Sequence, residues 1–180
     1  MEMNEIFQKL PRSMNSSLLP WQLSAFKGPP PGYSVMREFF TYQVPVFTNL
    51  AAATGTAANN LLIQADSDFE WTAGIYQFDL AATAQQFATR PVPNMTIQIS
   101  DSGSGRFLTS AAVPVPNLFG PQEFPRILPI TKVFSANSNV VFTAVNFDAA
   151  VATGNLRLTL LGWKLYYYPN QGGNVGAPMA

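Results

Sequence analysis

Histidine and cysteine are both absent from the 180-residue sequence. Without cysteine the chain has no disulfide framework, no thiol nucleophile and no cysteine metal site. Without histidine it lacks the commonest general base near neutral pH and the commonest metal ligand. Paired carboxylates, as in glycosidases, need neither residue, but nothing in the sequence pairs any two of the ten acids. We therefore predict a protein that is not an enzyme, with no catalytic residues, no metal site and no cofactor.

Charged residues are also scarce, at 11% of the sequence against about 25% in an average soluble domain. Lysine and arginine number ten, and so do aspartate and glutamate, so no long-range field favours nucleic acid or an anionic membrane. No apolar run reaches the roughly 18 residues of a membrane span, and the start, MEMNEIFQKL, lacks the apolar region of a secretory signal. Neither nucleic acid nor a membrane is predicted as a partner. So little charge is typical of a subunit that neighbours partly cover.

The stretch from Phe119 to Phe147 carries the clearest secondary-structure signal and predicts two antiparallel strands. The segment 130–134 is rich in β-branched and aromatic residues, and the Asn and Ser residues of 136–139 favour a turn. In the second strand, 140–147, both alternating rows of side chains are mainly apolar. We therefore expect a second sheet to cover one side of this strand, and an arm or a neighbouring subunit to cover the other.

Short strands separated by turn residues continue along most of the chain. From Phe39 onward, apolar and polar residues alternate in about eight segments, the number of strands in a jelly roll. Loops are predicted at 51–60 and at 81–93, the second with a helical turn at 84–87. The predicted fold is all-β, an antiparallel β-sandwich for which a jelly roll is favoured and an immunoglobulin-like sandwich is the alternative.

Two changes of phase in the alternation predict β-bulges. The first falls at Gly74 in the strand 69–80, and the second falls beside Gly162 in the last strand. At the second, the buried row is expected to move to the opposite face of the strand. The row would then pass from Leu156, Leu158 and Leu160 to Leu161, Trp163, Leu165 and Tyr167.

Residues 1–38 differ in composition from the rest, because prolines are spread among isolated apolar residues and end in the run 29–31. Prolines interrupt helices, and a triple proline favours extended polyproline II geometry. We predict an extended N-terminal arm at 1–38, a sandwich domain at 39–168 that folds without the arm, and a mobile tail at 169–180. Aromatic side chains in the arm need cover, either on their own domain or on another subunit. The candidate partner contacts are Phe7, Trp21 and Phe26.

Three further motifs have both a chemical and a structural interpretation. DSDFE at 66–70 places carboxylates at alternate positions, as some calcium loops do, but lacks the glycine and distant glutamate of an EF-hand. DSGSG at 101–105 has the composition of an anion nest, but lacks the ending of a phosphate-binding loop. We interpret both as turns. The tyrosines at 166–168 with Trp163 suit a sugar-stacking platform, although consecutive strand residues point in alternating directions.

Five segments resemble small β-sandwich virion proteins of tailed bacteriophages, the class described as capsid decoration, cement or minor head proteins. They are LLIQADSDFEW at 61–71, TIQISDSGSGRFLT at 96–109, the proline-spaced segment 119–130, NVVFTAVN at 139–146 and LTLLGWK at 158–164. The resemblance covers rather more than half of the chain, from Asn60 to Tyr167, and does not include the arm. It implies a structural, non-enzymatic protein that binds and stabilises neighbouring capsid subunits.

The same resemblance implies partners and a location. The partners would be the major capsid protein or other virion subunits, bound at the capsid surface after synthesis in the host cytoplasm. A homo-oligomer is expected, with a trimer favoured, since cement proteins of this kind often occupy local three-fold positions. The alternative is a glycan- or receptor-binding module on a virion surface, which would use loops at one end of the sandwich and the aromatic residues near Tyr166.

Overall fold

A computed structural model describes residues 22–80, 92–121, 123–148 and 153–170. Across these ranges the chain forms eleven strands and one short helix, α1 (Val115–Leu118), which confirms the all-β class. In chain order the strands are β1 (Tyr33–Gln43), β2 (Phe47–Thr48), β3 (Thr56–Leu62), β4 (Asp68–Leu80), β5 (Met95–Asp101), β6 (Arg106–Phe107), β7 (Val113–Pro114), β8 (Gly120–Pro121), β9 (Arg126–Phe134), β10 (Asn139–Asn146) and β11 (Thr153–Pro169).

The strands form two sheets that pack face to face, as predicted for a β-sandwich. The six-stranded sheet has the order β1, β11, β4 and β8, with β2 beside β11 and β9 beside β4. The five-stranded sheet has the order β3, β10, β5 and β6, with β7 also beside β5. Antiparallel pairs join the first long strand to the last, β1 to β11, and then β3 to β10, β4 to β9 and β5 to β6. Only the two-residue pairing of β4 with β8 is parallel within the described strands.

The core lies between the sheets and is built from the inward row of each long strand. Phe142 lies on β10 at the centre of the five-stranded sheet and is fully buried. Facing it, Trp71 of β4 stacks on two rings, with centroid distances of 5.7 Å to Phe119 and 6.2 Å to Phe134. Along β10, alternation buries every second side chain from Val140 to Asn146, as the sequence predicted.

Two predicted turns have the expected backbone. Between β9 and β10, Asn137 adopts a φ of 60°, a left-handed conformation that asparagine tolerates better than most residues. Between β5 and β6, the Asp101 carboxylate accepts hydrogen bonds from the Gly103 N–H (3.0 Å) and the Ser104 hydroxyl (2.7 Å). The Gly103 N–H, a donor that an anion nest would need free, is therefore used by Asp101 to close the hairpin turn.

The two predicted bulges are one irregularity. The register of β4 against β11 shifts between Leu161 and Gly162, where Thr72 is the extra residue on β4. A Cβ on Gly162 would lie 2.1 Å from the Glu70 carbonyl oxygen, so this close approach requires glycine. The predicted change of buried row along β11 is wrong for Leu161 and Trp163, which are only half-buried, and for Lys164, which lies in the interior at 3% exposure. Because the extra residue sits on β4, the inward row of β11 continues as far as Lys164. Leu165, a member of the predicted row, is buried as predicted.

Several boundaries differ from those predicted. β1 begins at Tyr33, within the predicted arm, and β3 takes in the second half of the predicted loop 51–60. β9 contains Pro129, which was expected to precede the strand. The ladder between β4 and β9 is interrupted around that proline. The sheet therefore does not require a hydrogen bond from Pro129, which has no N–H to donate. The predicted helical turn at 84–87 and the tail from residue 171 lie outside the described residues.

Candidate functional site

The outer face of the five-stranded sheet carries no charge over its three long strands, β3, β10 and β5. Thr143 of β10 lies at the middle of this face, between Ala58 of β3 and Gln98 of β5. The same face continues along each strand and is completed by Thr56, Asn60, Thr96, Ser100, Val141 and Val145. At average composition about two of these nine positions would be charged. We call these nine residues the uncharged face.

Three large apolar side chains border the uncharged face and point to the same side. Leu62 continues the outer row of β3, Phe147 continues that of β10, and Phe107 lies opposite Ser100. Their exposed fractions are 61%, 50% and 65% respectively. Exposed apolar groups that gather on one face, in contrast to scattered ones, mark an interaction site. The second apolar row of β10 is half-buried to exposed, and the described part of the arm does not cover it. Its cover by a neighbouring subunit stays a prediction.

The described start of the arm, from Gln22 to Phe26, instead lies on the outer side of the opposite sheet. Leu23 forms a parallel bridge with Ile130 of β9, and the Leu23 N–H donates to the Pro129 carbonyl at 2.9 Å. The Gln22 side-chain amide donates to the carbonyls of Thr72 and Leu128, both at 2.9 Å. These carbonyls border the gap in the β4–β9 ladder, so Gln22 replaces the bonds that the interrupted strands do not make with each other.

Glu70 is a fully buried carboxylate beneath this part of the arm. Its Oε1 accepts hydrogen bonds from the Ser24 hydroxyl and from the Thr131 hydroxyl, the second at 2.7 Å. Its Oε2 lies 3.2 Å from Nη2 of Arg37, whose side chain is 16% exposed. A buried charge is tolerated only when it is paired and hydrogen-bonded. The arm and β1 therefore supply what the Glu70 carboxylate needs in order to remain inside.

The predicted partner contacts have different outcomes. Phe26 is half-buried on its own domain, with its ring centroid 6.4 Å from that of Tyr167 and 5.2 Å from the Arg37 guanidinium carbon. Only its remaining exposed surface is available to another subunit. Trp21 and Phe7 lie outside the described residues, so their role as partner contacts stays a prediction.

The carboxylates of the possible calcium motif point apart. Asp66 Oδ2 lies 2.8 Å from the Lys164 amine, and Asp68 accepts bonds from the Ala136 N–H (2.8 Å) and the Tyr167 hydroxyl (2.9 Å). Glu70, the third acid of the motif, accepts the hydrogen bonds from Ser24 and Thr131 described above. Across the described ranges, no group of three or more acids is arranged to hold a metal ion. Each acid is used as a structural acceptor.

The ion pair between Asp66 and Lys164 predicts a loss of stability in acid. The hydrogen bond from Lys164 holds the pKa of the Asp66 carboxyl below its ordinary value. Because the folded-state pKa is the lower one, the contribution of this carboxyl is complete above about pH 4 and is lost as the pH falls through the folded value. Asp66→Asn should therefore unfold at a temperature that depends less on pH between about 5 and 2 than the wild type does. If the melting temperatures of Asp66→Asn and the wild type fall by the same amount across this pH range, the assignment is wrong.

The tyrosines at 166–168 do not form one platform. The Tyr166 hydroxyl points toward Asp66, at 3.4 Å from Oδ2, whereas Tyr167 lies on the opposite side of β11, beneath Phe26. Trp163 packs edge-to-face against Phe39 of β1, with a centroid distance of 5.7 Å, on the outer face of the six-stranded sheet. This aromatic pair is separate from the tyrosines, and Phe39 is 58% exposed.

Comparisons with protein-family models, with curated proteins and with solved structures gave no match to this chain. No helix among the described residues has the length and apolar character of a membrane span.

Proposed function

We propose that the sandwich is a jelly roll. A jelly roll is a long hairpin of eight strands in which the first pairs with the last, the second with the seventh, and so on inward. The nested pairs β1–β11, β3–β10, β4–β9 and β5–β6 support this topology. Jelly rolls occur in viral capsid proteins, lectin domains and cupins. The fold supports a virion role, and the site carries the functional proposal, because one fold hosts many functions.

We further propose that the protein is a bacteriophage virion structural protein of the decoration or cement type. It would bind and stabilise neighbouring capsid subunits, with the major capsid protein as its main partner, and would perform no catalysis. The observation that carries this proposal is the uncharged face with its border of Leu62, Phe107 and Phe147. A sheet face that met only water would carry lysine and glutamate, whereas depletion of charge is typical of the centre of an interface.

The size of the face indicates that it does not act alone. Three strands that each occupy a width of about 4.8 Å and are about seven residues long make a face of roughly 14 Å by 23 Å, or about 320 Å². A stable protein–protein interface buries about 800 Å² on each partner. We expect the N-terminal arm to supply the remaining contact. Residues 1–21 precede the docked Gln22, and an extended chain of this length can reach about 70 Å from it.

The proposal also includes self-association and a location. The purified chain of 19.6 kDa should form a homo-oligomer, with three copies favoured by the resemblance to cement proteins. The protein would be made in the host cytoplasm and reside on the capsid surface. Light scattering that reports a single chain at every concentration would count against self-association.

The test of the capsid role is a charge placed at the centre of the uncharged face. Thr143→Lys should weaken binding to capsids assembled without this protein by at least about a hundredfold, because burying an unpaired ammonium costs several kcal/mol. Thr159→Lys is the matched control, since Thr159 is also a half-buried threonine in the middle of a strand, on the outer side of the other sheet. Binding would be measured by co-sedimentation, with circular dichroism to verify that both variants fold.

Two results would contradict the proposal. If Thr143→Lys sediments with capsids as well as Thr159→Lys does, the uncharged face is not the capsid-binding surface. If the wild type binds a defined sugar on a glycan array and ignores capsids, the glycan-binding alternative replaces the structural role.

A further inference from the structure

The long strand β1 ends the six-stranded sheet and leaves one edge open. It has eleven residues, and its register with β11 is unbroken from Tyr33 to Gln43. Across the described part of the chain no other strand pairs with it. Edge strands of monomeric proteins are usually short, bulged, or protected by lysine or proline. β1 is eleven residues long, has no bulge and contains neither lysine nor proline. Its charged residues are Arg37, which is paired with Glu70 of its own sheet, and Glu38. Its edge is therefore suited to pairing with another strand.

Two hydrogen bonds establish which backbone groups reach that edge. The Val44 N–H donates to the Leu158 carbonyl at 2.9 Å, and the Asn170 N–H donates to the Gly32 carbonyl at 2.7 Å. Even-numbered residues of β1 therefore bond to β11, and the N–H and C=O groups of odd-numbered residues point the other way. Within the described ranges, Val35, Phe39 and Thr41 make no backbone hydrogen bond to another strand on that side.

We propose that β1 pairs antiparallel with β1 of a second copy, across a two-fold axis at Phe39. Two-fold contacts are the commonest in homo-oligomers, and each copy offers the same open edge. The outer side chain of Phe39 is the most exposed large apolar group of the strand, at 58%. With the axis at this residue, the two Phe39–Trp163 pairs form a continuous aromatic row across the joined sheets. The second copy thus covers the exposed ring and the open backbone groups together.

Charge favours this register over its neighbours. Residues directly opposite each other in an antiparallel pair share a face, and like charges placed opposite destabilise the pair. An axis at Arg37 or Glu38 would set each of these residues against its own copy. The axis at Phe39 instead places Arg37 opposite Thr41 of the second copy, twice by symmetry. The paired segment then covers nine of the eleven residues, 35–43, on each strand.

This contact goes beyond the proposed capsid role and does not depend on it. The uncharged face lies on the other sheet, so it remains free when two copies pair through β1. A two-fold contact doubles the number of copies that other contacts hold together. A single chain becomes a dimer, and a ring of three becomes an assembly of six. The ratio of masses between variants is therefore the readout, whatever the absolute number of copies.

The test uses opposite charges at Thr41, an exposed position on the outer face. Thr41→Lys places a cation opposite Arg37 of the second copy and should weaken pairing about tenfold, whereas Thr41→Glu should strengthen it several-fold. Ser110→Lys, in an exposed bend, is the control for added charge alone. Analytical ultracentrifugation across a dilution series should give Thr41→Lys half the mass of the wild type and of Ser110→Lys at intermediate concentrations.

Disulfide trapping tests the register, and the absence of native cysteine makes it unambiguous. Cα atoms of a hydrogen-bonded antiparallel pair lie about 5.5 Å apart, within reach of a disulfide. Phe39→Cys should therefore cross-link two copies on mild oxidation. Thr41→Cys should not, because the two positions would be about 14 Å apart along the strands. The proposal is overturned if both charge variants keep the wild-type mass, or if the two cysteine variants cross-link equally. Both charge variants would keep the wild-type mass if residues 1–21 or a strand of another protein, and not a second copy, occupied the edge of β1.

Discussion

Replacing Arg37 with methionine is expected to lower the free energy of unfolding by about 3–5 kcal/mol, the usual cost of leaving a buried charge without its partner. Arg37 lies 3.2 Å from the Glu70 carboxylate, which is fully buried and cannot regain water without opening the sheet. Methionine keeps an apolar side chain beside Phe26, so the loss reports mainly on charge. Urea unfolding followed by circular dichroism would measure it.

A double-mutant cycle separates charge from packing. Glu70→Gln removes the buried charge while keeping an acceptor for the Ser24 and Thr131 hydroxyls. The double variant, with Arg37→Met, should therefore be more stable than Arg37→Met alone by at least about 1 kcal/mol. Additive losses in the two single variants would show that Arg37 does not stabilise Glu70 through charge.

Deleting residues 2–27 is expected to lower the melting temperature by about 6–12 °C, whereas deleting residues 2–21 should change it little. The longer deletion removes the two amide bonds of Gln22, the Ser24 bond to Glu70 and the cover of Phe26. Groups left unsatisfied in this way cost about 1–3 kcal/mol each, and the regained chain entropy offsets part of the sum. A net loss of about 3 kcal/mol corresponds to the stated shift for a domain of this size.

Comparing the two deletions also tests where the boundary between arm and domain lies. The sequence predicted that a sandwich beginning at Phe39 folds without the arm, but the contacts of Gln22, Ser24 and Phe26 assign the end of the arm to the domain's own stability. Equal melting temperatures for the two deletions would mean that segment 22–27 adds nothing to the stability of the domain. Differential scanning calorimetry on both chains decides this directly.

Strand positions were predictable because alternation is local. β4, β5 and β10 begin and end within one residue or so of their predicted limits, since each has an apolar side chain at every second position. The turn at Asn137 was predictable for a similar reason, because positive φ depends on the residue itself. The bulge left a trace in the sequence as a change of phase near Gly74, although the extra residue is Thr72.

Buried charge was not predictable in this way. Glu70 is held by Ser24 and Thr131, which are 46 and 61 residues away in the chain, and Lys164 is held by Asp66, 98 residues away. A charged residue in a strand normally indicates an exposed position, because an unpaired charge is rarely buried. The residues near Lys164 in the chain do not indicate that Asp66 lies beside it in the fold, so Lys164 was predicted on the wrong side of β11.

The apolar row of each strand and the all-β class follow from the sequence alone, and so does the prediction that the outer row of β10 is covered. What lies beside that row depends on the tertiary structure. Thr143 lies between Ala58 and Gln98, although these residues are separated from it by 85 and 45 positions in the chain. Alternation is a property of one strand, whereas a face is made by several strands whose order and register depend on long-range pairing. The uncharged face and the open edge of β1 both follow from that order.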